Sequence, residues 1–262
     1  MAVVDFEKRE EIAYITINRP EARNAFDGEV TRLLMESFRE FDADAALRVA
    51  ILTGAGDKAF CAGADLKTFE GGGSRERQGG PALGITQVGG LLPHTVGTVS
   101  KPTIAAINGY CLAGGLEIAM ACDIRIASET ATFGCPEVKW NLLHGYGALR
   151  LPQAIPMAVA MEMMLTGEFI DAQEALRIGL VSKVVAPGEL MAKAEEIAHK
   201  ITANAPIAVR VTKELAYRGL SLPLEDGLRL YGAYSRIVYA TEDTREGPRA
   251  FAEKRTPQFK GR

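Results

Sequence analysis

Residues 101–123, KPTIAAINGYCLAGGLEIAMACD, combine a short apolar run, a turn and a glycine pair in front of a second apolar run. The first run, residues 103–107, is short and rich in β-branched side chains, which predicts a buried strand. Asn108 and Gly109 predict a turn, and residues 116–121 predict a helix. The rest of the chain is arranged around this strand, turn and helix.

Glu117 is the one charged side chain between Leu112 and Cys122. An ionised carboxylate is costly to bury and needs a partner, a water molecule or a raised pKa. The glycines let another molecule approach the backbone, and free N–H groups at a helix N-terminus can stabilise a developing negative charge. The segment thus offers an oxyanion donor and an acid or base. The alternative is a tightly packed strand–turn–helix whose glutamate pairs with an arginine elsewhere.

The chain has 262 residues and a formal net charge of −3, with 47% hydrophobic and 24% charged residues. This is an ordinary globular balance and enough chain for one large domain. No long basic run is present, which argues against a nucleic-acid partner.

No apolar run approaches the roughly 20 residues of a membrane span, and the N-terminus resembles neither a secretory signal nor a transit peptide. The four cysteines lack CxxC spacing, which predicts small buried residues in a reducing compartment; they are Cys61, Cys111, Cys122 and Cys135. The three histidines lack metal-ligand spacing, so no metal site is expected. These features predict a cytoplasmic protein without a membrane partner.

The order of elements predicts an α/β fold. Residues 3–9 and 12–18 alternate apolar and polar side chains, which is typical of a β-hairpin, and Asp27 can cap the helix that follows. Strand and helix patterns then recur loosely as strand, strand, helix, and only helical patterns follow residue 189. We therefore expect a spiral-like α/β core over residues 1–188 and a helical region over residues 189–262.

Three segments in the first half leave alternatives. Gly54 and Gly56 follow a strand and permit a dinucleotide-binding interpretation, but Ala59 replaces the third glycine, so a tight turn is favoured. Residues 71–84 are glycine-rich and predict a mobile loop. Residues 85–99 predict a helix that glycines and Pro93 weaken.

Two glycine turns and two isolated carboxylates together suggest a chemistry. Ala64, in FCAGADL (residues 60–66), and Gly114 each lie at a turn before a predicted helix, so their N–H groups can converge on one oxygen. Glu117 and Glu137 are carboxylates in otherwise apolar surroundings. Two oxyanion donors and two acid–base groups suit a reaction through a thioester enolate.

The chain resembles the enoyl-CoA hydratases of the crotonase superfamily over nearly its whole length. FCAGADL resembles the first oxyanion segment of that family, NGYCLAGGLEIAMACD the second, and FGCPEV the segment of the second glutamate. EMMLTGEFIDAQEALRIGLVSKVV and AFAEKRTPQFK resemble its later helices. The resemblance implies a crotonase-like spiral of repeated ββα units with a C-terminal helical trimerisation region, assembled as a homotrimer or dimer of trimers.

The resemblance also implies roles for individual residues. The amides of Ala64 and Gly114 would bind the thioester oxygen, Glu117 would help deprotonate the attacking water, and Glu137 would supply the proton to the α carbon. A further set of residues would contact coenzyme A: Arg23, Ala62, Asp65, Leu66, Phe251 and Lys254. The last two often make this contact from a neighbouring subunit. Coenzyme A is part of the substrate, so no separate cofactor is needed.

The segment KWNLLHGYGALRLP, residues 139–152, departs from the glycine-rich loop that such hydratases commonly carry after the second glutamate. Its Trp140, His144 and Tyr146 predict an acyl pocket that is narrowed by aromatic rings and offers hydrogen bonds. The alternative is that Trp140 packs in the core while His144 and Tyr146 face solvent.

The first functional hypothesis is reversible syn hydration of a 2-enoyl-CoA thioester. A second, within the same superfamily, is double-bond isomerisation or dehydration of a hydroxylated or carnitine-type acyl-CoA; the presence of both glutamates favours hydration. A third is a nicotinamide-dependent oxidoreductase built on Gly54 and Gly56, and a fourth is a non-catalytic binding protein, for example one that binds RNA.

Overall fold

The computed structural model describes residues 2–65 and 92–262. Through its centre runs a six-stranded sheet, in the order β1 (Val4–Arg9), β2 (Ile12–Ile17), β3 (Val49–Gly54), β5 (Thr103–Ile107), β7 (Ile124–Ser128) and β10 (Lys183–Val185). β1 and β2 form the predicted antiparallel hairpin, and the other neighbours are parallel. All five residues of β5 are buried, as the uninterrupted apolar run of a central parallel strand requires.

A second sheet has four strands, in the order β4 (Ala59–Cys61), β6 (Tyr110–Leu112), β8 (Thr132–Gly134) and β9 (Phe169–Asp171). β4, β6 and β8 are parallel, and β9 is antiparallel to β8. Successive strands thus alternate between the sheets: β3, β5 and β7 each lie in the first, and the strand after each lies in the second. This alternation is the ββα spiral that the resemblance implies, so the predicted fold is confirmed.

The helices of the core are α1 (Gly28–Ala43), α2 (Leu92–Gly97), α3 (Gly114–Ala121), α4 (Gly145–Ala154), α5 (Met157–Thr166) and α6 (Ala172–Arg177). The predicted cap of α1 is present, since Asp27 Oδ1 accepts from the Val30 N–H at 2.8 Å. Asp171 Oδ1 caps α6 in the same way and accepts from the Glu174 N–H at 2.8 Å. The helical pattern of residues 145–167 forms two helices, because Ile155 precedes a proline and is extended.

Four helices follow: α7 (Leu190–Thr202), α8 (Pro206–Gly219), α9 (Leu224–Tyr239) and α10 (Asp243–Ala252). α7 packs Leu190, Ala194 and Ala198 into one apolar cluster with β3, β5 and β7. α8 and α9 contain no fully buried residue. The helical character of the region is as expected, whereas the division at residue 189 remains a prediction, because α7 shares its core with the sheet.

Several predictions concern the segment between β3 and α2. Gly54 and Gly56 lie where β3 turns into β4, and a strand follows them instead of the helix that a dinucleotide site needs. Leu66, the predicted loop 71–84 and residues 85–91 of the predicted helix 85–99 lie outside the described residues; the described part of that helix is α2. Within residues 2–65 and 92–262, no helix is both long and apolar enough to cross a bilayer.

Candidate active site

A cavity of about 350 Å³ lies between the turn after β4, the N-terminus of α3 and the segment between β8 and α4. It is lined by the four residues expected to carry the chemistry, which are Ala64, Gly114, Glu117 and Glu137. The remaining wall is mostly apolar and includes Phe26, Leu92, Pro93, Trp140, Leu142, Leu143 and Tyr146. Polar groups therefore converge on one side of an otherwise apolar cavity, which is the usual form of a small-molecule site.

The turns that carry the Ala64 and Gly114 amides are in direct contact. Gly63 has φ +93°, and a Cβ built on it would lie 2.6 Å from the Cβ of Ala113 and 3.2 Å from the Gly114 nitrogen. Only a residue without a side chain permits this approach at this φ. The contact places the Ala64 turn against the first residue of α3.

Each of the two amides is available to a ligand by its position. Phe26 pairs with this turn through the Gly63 carbonyl and the Asp65 N–H, both at 2.8 Å, and this pairing does not use the Ala64 N–H. Gly114 is the first residue of α3, where N–H groups have no intrahelical acceptor. Two N–H groups on residues that line the same cavity are what the predicted oxyanion hole requires, and that role stays a prediction.

Glu117 projects from the first turn of α3 and is largely buried. Its Oε1 accepts a hydrogen bond from the Gly147 N–H at 2.9 Å. Burial raises the pKa of Glu117 above its ordinary value of 4.5, while the Gly147 hydrogen bond and the nearby His144 oppose the rise. A carboxylate with a raised pKa is a stronger base than an exposed one.

Glu137 lies in the 3₁₀ turn Pro136–Trp140 after β8 and is bound by a buried histidine. His144 Nδ1 is 2.6 Å from Glu137 Oε1 and 3.8 Å from Glu117 Oε1, and His144 Nε2 is 3.3 Å from the Sγ of Cys135. Glu137 Oε2 is buried and has no hydrogen-bond partner among the described residues. One oxygen of Glu137 is thus held by the protein, and the other is left for a ligand of the cavity.

The imidazole of His144 fits only because residue 147 is glycine. A Cβ on Gly147 would lie 1.8 Å from His144 Nε2 and 2.4 Å from its Cε1. Gly147 therefore serves both carboxylates: its N–H binds Glu117, and its missing side chain makes room for the ring that binds Glu137.

Glu117, Glu137 and His144 place donor atoms within 4.8 Å of one another, a spacing that a metal ion can also use. The chemistry of the donors fits an acid–base cluster better. At 2.6 Å, Nδ1 and Oε1 form a hydrogen bond with each other, and Glu117 Oε1 accepts one from the Gly147 N–H, so these atoms already have partners within the protein. We therefore describe these groups as hydrogen-bonded to one another and not as ligands.

The three aromatic residues after Glu137 take different positions. Trp140 is 65% exposed and lines the mouth of the cavity, and Tyr146 is half-buried in its wall. His144 is 3% exposed and lies behind Glu137, so the prediction that it lines the acyl pocket is wrong. The alternative is wrong as well, since Trp140 is not in the core and His144 does not face solvent.

The described residues expected to contact coenzyme A lie at different positions relative to the cavity. Ala62 lines it, and the exposed Arg23 lies with its guanidinium carbon 5.5 Å from the centroid of the Tyr110 ring. Asp65 forms an ion pair with Arg19 at 3.3 Å, so its carboxylate already has a protein partner.

Phe251 and Lys254 lie at the end of α10 and do not line this cavity. Phe251 is 88% exposed. Their contact with coenzyme A from a neighbouring subunit, which the resemblance implies, stays a prediction.

Sequence reasoning missed the support behind the two glutamates. Cys135 and Gly147 were not identified as site residues, although both lie in the departing segment or directly before it. The separation of 30 residues between Glu117 and Gly147 gives no periodic signal, because the contact forms only when α4 packs beside α3.

The comparisons with known proteins agree with this geometry. Residues 7–262 match the family described as enoyl-CoA hydratase/isomerase. The (E)-benzylidenesuccinyl-CoA hydratase of Thauera aromatica is 47% identical over 98% of this chain and 99% of that protein. The short-chain-enoyl-CoA hydratase of Clostridium acetobutylicum is 41% identical over 99% of this chain and 98% of that protein.

A solved structure gives the same result. The enoyl-CoA hydratase of Bacillus anthracis is 39% identical and superposes with a TM-score of 0.92 over 99% of this chain and 100% of that one. A family match over almost the whole sequence, together with relatives above 40% identity, shows membership of a family as well as a shared fold. The chain therefore belongs to the enoyl-CoA hydratase/isomerase family of the crotonase superfamily.

Proposed function

We propose that the protein is an enoyl-CoA hydratase, a hydro-lyase that adds water reversibly and syn across the 2,3 double bond of a 2-enoyl-CoA thioester. The observation that carries the proposal is the pair Glu117 and Glu137, which face one cavity together with the amides of Ala64 and Gly114. An isomerase needs one carboxylate to move a proton, whereas hydration uses one group for the water and another for the α carbon.

In the proposed mechanism the thioester oxygen lies against the Ala64 and Gly114 N–H groups. Ionised Glu117 takes a proton from water as the water oxygen bonds to the β carbon, and the π electrons move toward the thioester oxygen. The resulting enolate then takes the proton of Glu137 at the α carbon. Glu117 ends protonated and Glu137 ionised, and transfer of one proton from Glu117 to Glu137 restores the starting state.

No separate cofactor enters this reaction, because the two amides stabilise the enolate charge and the two carboxylates supply the proton transfers. Coenzyme A is the carrier part of the substrate. Arg23, Ala62, Asp65 and Leu66 would bind it from the same subunit, with Asp65 acting through the backbone because its carboxylate pairs with Arg19.

A homotrimer or dimer of trimers is part of the proposal. Phe251 and Lys254 would reach coenzyme A from the neighbouring subunit. In support, the chain exposes many large apolar side chains between the end of α8 and α10, including Leu220, Leu222, Leu224, Leu228, Tyr231, Ile237 and Tyr239. Exposed apolar side chains concentrated in one region are typical of a surface that another subunit covers.

The acyl pocket would favour short or functionalised acyl groups over long straight chains. Trp140 and Tyr146 occupy volume at its wall, and burial raises the pKa of Tyr146, so its hydroxyl stays protonated and can donate. A missing hydrogen bond discriminates between substrates more strongly than an extra methylene. We expect a higher kcat/KM for crotonyl-CoA than for decenoyl-CoA.

A cytoplasmic location completes the proposal. All four cysteines are buried and none forms a disulfide, which fits a reducing compartment.

The test is a panel of enoyl-CoA thioesters followed by mass spectrometry, in which hydration adds the mass of one water molecule and isomerisation adds nothing. Glu117→Gln and Glu137→Gln should each lower kcat by roughly 10²-fold or more while the circular dichroism spectrum stays unchanged. Glu162→Gln, an exposed glutamate of α5, is the control and should keep wild-type turnover. Near-wild-type turnover in either active-site variant would refute the two-carboxylate mechanism.

A further inference from the structure

Behind the catalytic cavity lies a row of three buried side chains, Cys135, His144 and Glu137. The Sγ of Cys135 is 3.3 Å from His144 Nε2, and His144 Nδ1 is 2.6 Å from Glu137 Oε1. Both ring nitrogens therefore have partners inside the protein. Among the described residues, the titratable groups that face the ring are these two and Glu117, at 3.8 Å across the site from α3.

The protonation of Cys135 determines which atoms donate and which accept in the hydrogen bonds of this row. Burial raises the pKa of the Cys135 thiol far above its ordinary value, and the nearby Glu137 and Glu117 raise it further. The thiol therefore keeps its hydrogen, and this S–H can donate to an imidazole nitrogen. If Sγ–H donates to Nε2, the neutral imidazole carries its hydrogen on Nδ1, and Nδ1–H donates to Glu137 Oε1.

This direction determines which oxygen of Glu137 can hold the reacting proton. An Oε1 that accepts from Nδ1–H is the carbonyl oxygen of the acid, so the proton of the acid lies on Oε2. Oε2 is the buried oxygen without a protein partner, and Glu137 lines the cavity. The opposite tautomer, with hydrogen on Nε2, would place the acid proton on Oε1, where it is shared with the imidazole and directed away from the cavity.

We propose that His144 is a positioning residue that fixes the transferable proton of Glu137 on Oε2, and that Cys135 fixes the tautomer of His144. That this proton goes to the α carbon rests on the proposed function. The tautomer of His144 and the placement of the proton on Oε2 are argued independently of that function. His144 itself touches no reacting atom, since Glu137 lies between its ring and the cavity.

The first experiment does not depend on activity. The three histidines of the resting enzyme are labelled with ¹⁵N, and their ring nitrogens are observed by NMR. The signals of His144 are those that disappear in the His144→Asn variant, and His199→Leu serves as a second reference for the assignment. We expect hydrogen on Nδ1 and none on Nε2, and in Cys135→Ala a loss of that preference. An imidazolium or an Nε2–H tautomer in the wild type would overturn the proposal, whether or not any thioester is hydrated.

The second experiment uses turnover. His144→Leu removes both hydrogen bonds at similar volume and should lower kcat by about 10-fold or more with little change in KM, because the substrate still binds but the acid proton is no longer fixed. His144→Asn can keep an N–H near the position of Nδ1 and should recover most of kcat. The exposed His199→Leu should match the wild type.

The outcomes separate the two proposals. Equal losses in the Leu and Asn variants, or a change in KM alone, would mean that His144 only fills space, and hydration by Glu117 and Glu137 would stand. If the wild type hydrates no enoyl-CoA while the Nδ1–H tautomer is present, the proposed function fails and the proton placement stands.

Discussion

Gly147→Ala tests the link between backbone space and the acid side of the site. The added Cβ would lie 1.8 Å from His144 Nε2, 2.3 Å from Cδ2 and 2.4 Å from Cε1, whereas real Cβ contacts are never this short. The ring is 3% exposed, so it can move only by displacing buried neighbours. We expect it to leave its position, so that Glu137 loses its 2.6 Å hydrogen bond.

Two costs follow from this displacement. Forcing a side chain into a well-packed site costs about 1–3 kcal/mol. A buried carboxylate that loses its partner costs about 1–3 kcal/mol more. Because one movement of the ring causes both, we expect a total loss of about 2–6 kcal/mol in the free energy of unfolding. The backbone N–H that binds Glu117 is retained, so kcat should fall roughly 10- to 100-fold, less than on removal of the acid itself.

Denaturant unfolding and steady-state hydration measure the two effects. The control is Gly145→Ala on the same helix, whose Cβ would meet nothing closer than Glu117 Oε1 at 3.9 Å and should cost little. In a His144→Ala background the ring is gone, so Gly147→Ala should cost less than about 0.5 kcal/mol, as expected when a shared contact has been removed. An equal loss of stability with and without the ring would refute the steric argument.

Two further predictions concern stability and assembly. Burial raises the pKa of Glu117 in the folded protein, so the ionisation of Glu117 lowers the free energy of unfolding as pH rises through the raised pKa. Glu117→Gln removes this cost and should raise Tm at pH 7. The gain in Tm should vanish below the ordinary pKa of 4.5, and thermal scans at several pH values measure it. A gain that does not depend on pH would contradict this. Sedimentation should give three or six times 28.2 kDa, and a stable monomer at micromolar concentration would contradict the cross-subunit placement of Lys254.

Local patterns in the sequence were sufficient to predict most elements of the fold. The strand at Thr103–Ile107, the capped start of α1 and the helix Leu190–Thr202 depend on burial, capping and periodicity within one segment, and the structure has them as predicted. The break between α4 and α5 was less clear, because Pro152 and Pro156 look equivalent in the sequence. Pro152 lies in the first helix, and only the extended Ile155 ends it.

The site was predictable only in part. The glycine turns and the two glutamates differ from their apolar surroundings and can be found one at a time. The position of His144 cannot, because it depends on a glycine three residues later and on a cysteine before the turn. A histidine near two aromatic residues suggests that it lines a pocket. In the structure its ring instead occupies the space that a side chain at position 147 would need, and it contacts Glu137 there.

The row of Cys135, His144 and Glu137, with its space at Gly147, restricts the order in which related sequences can diverge. Loss of Glu137 first leaves a buried imidazole N–H without an acceptor, and a side chain at position 147 displaces the ring for as long as His144 is present. A related sequence that loses Glu137 and keeps one catalytic carboxylate must therefore replace His144 before, or together with, Glu137 and Gly147. Substitutions that are neutral in a relative without the histidine become harmful in this chain, so variants at these positions should not be transferable between the two backgrounds.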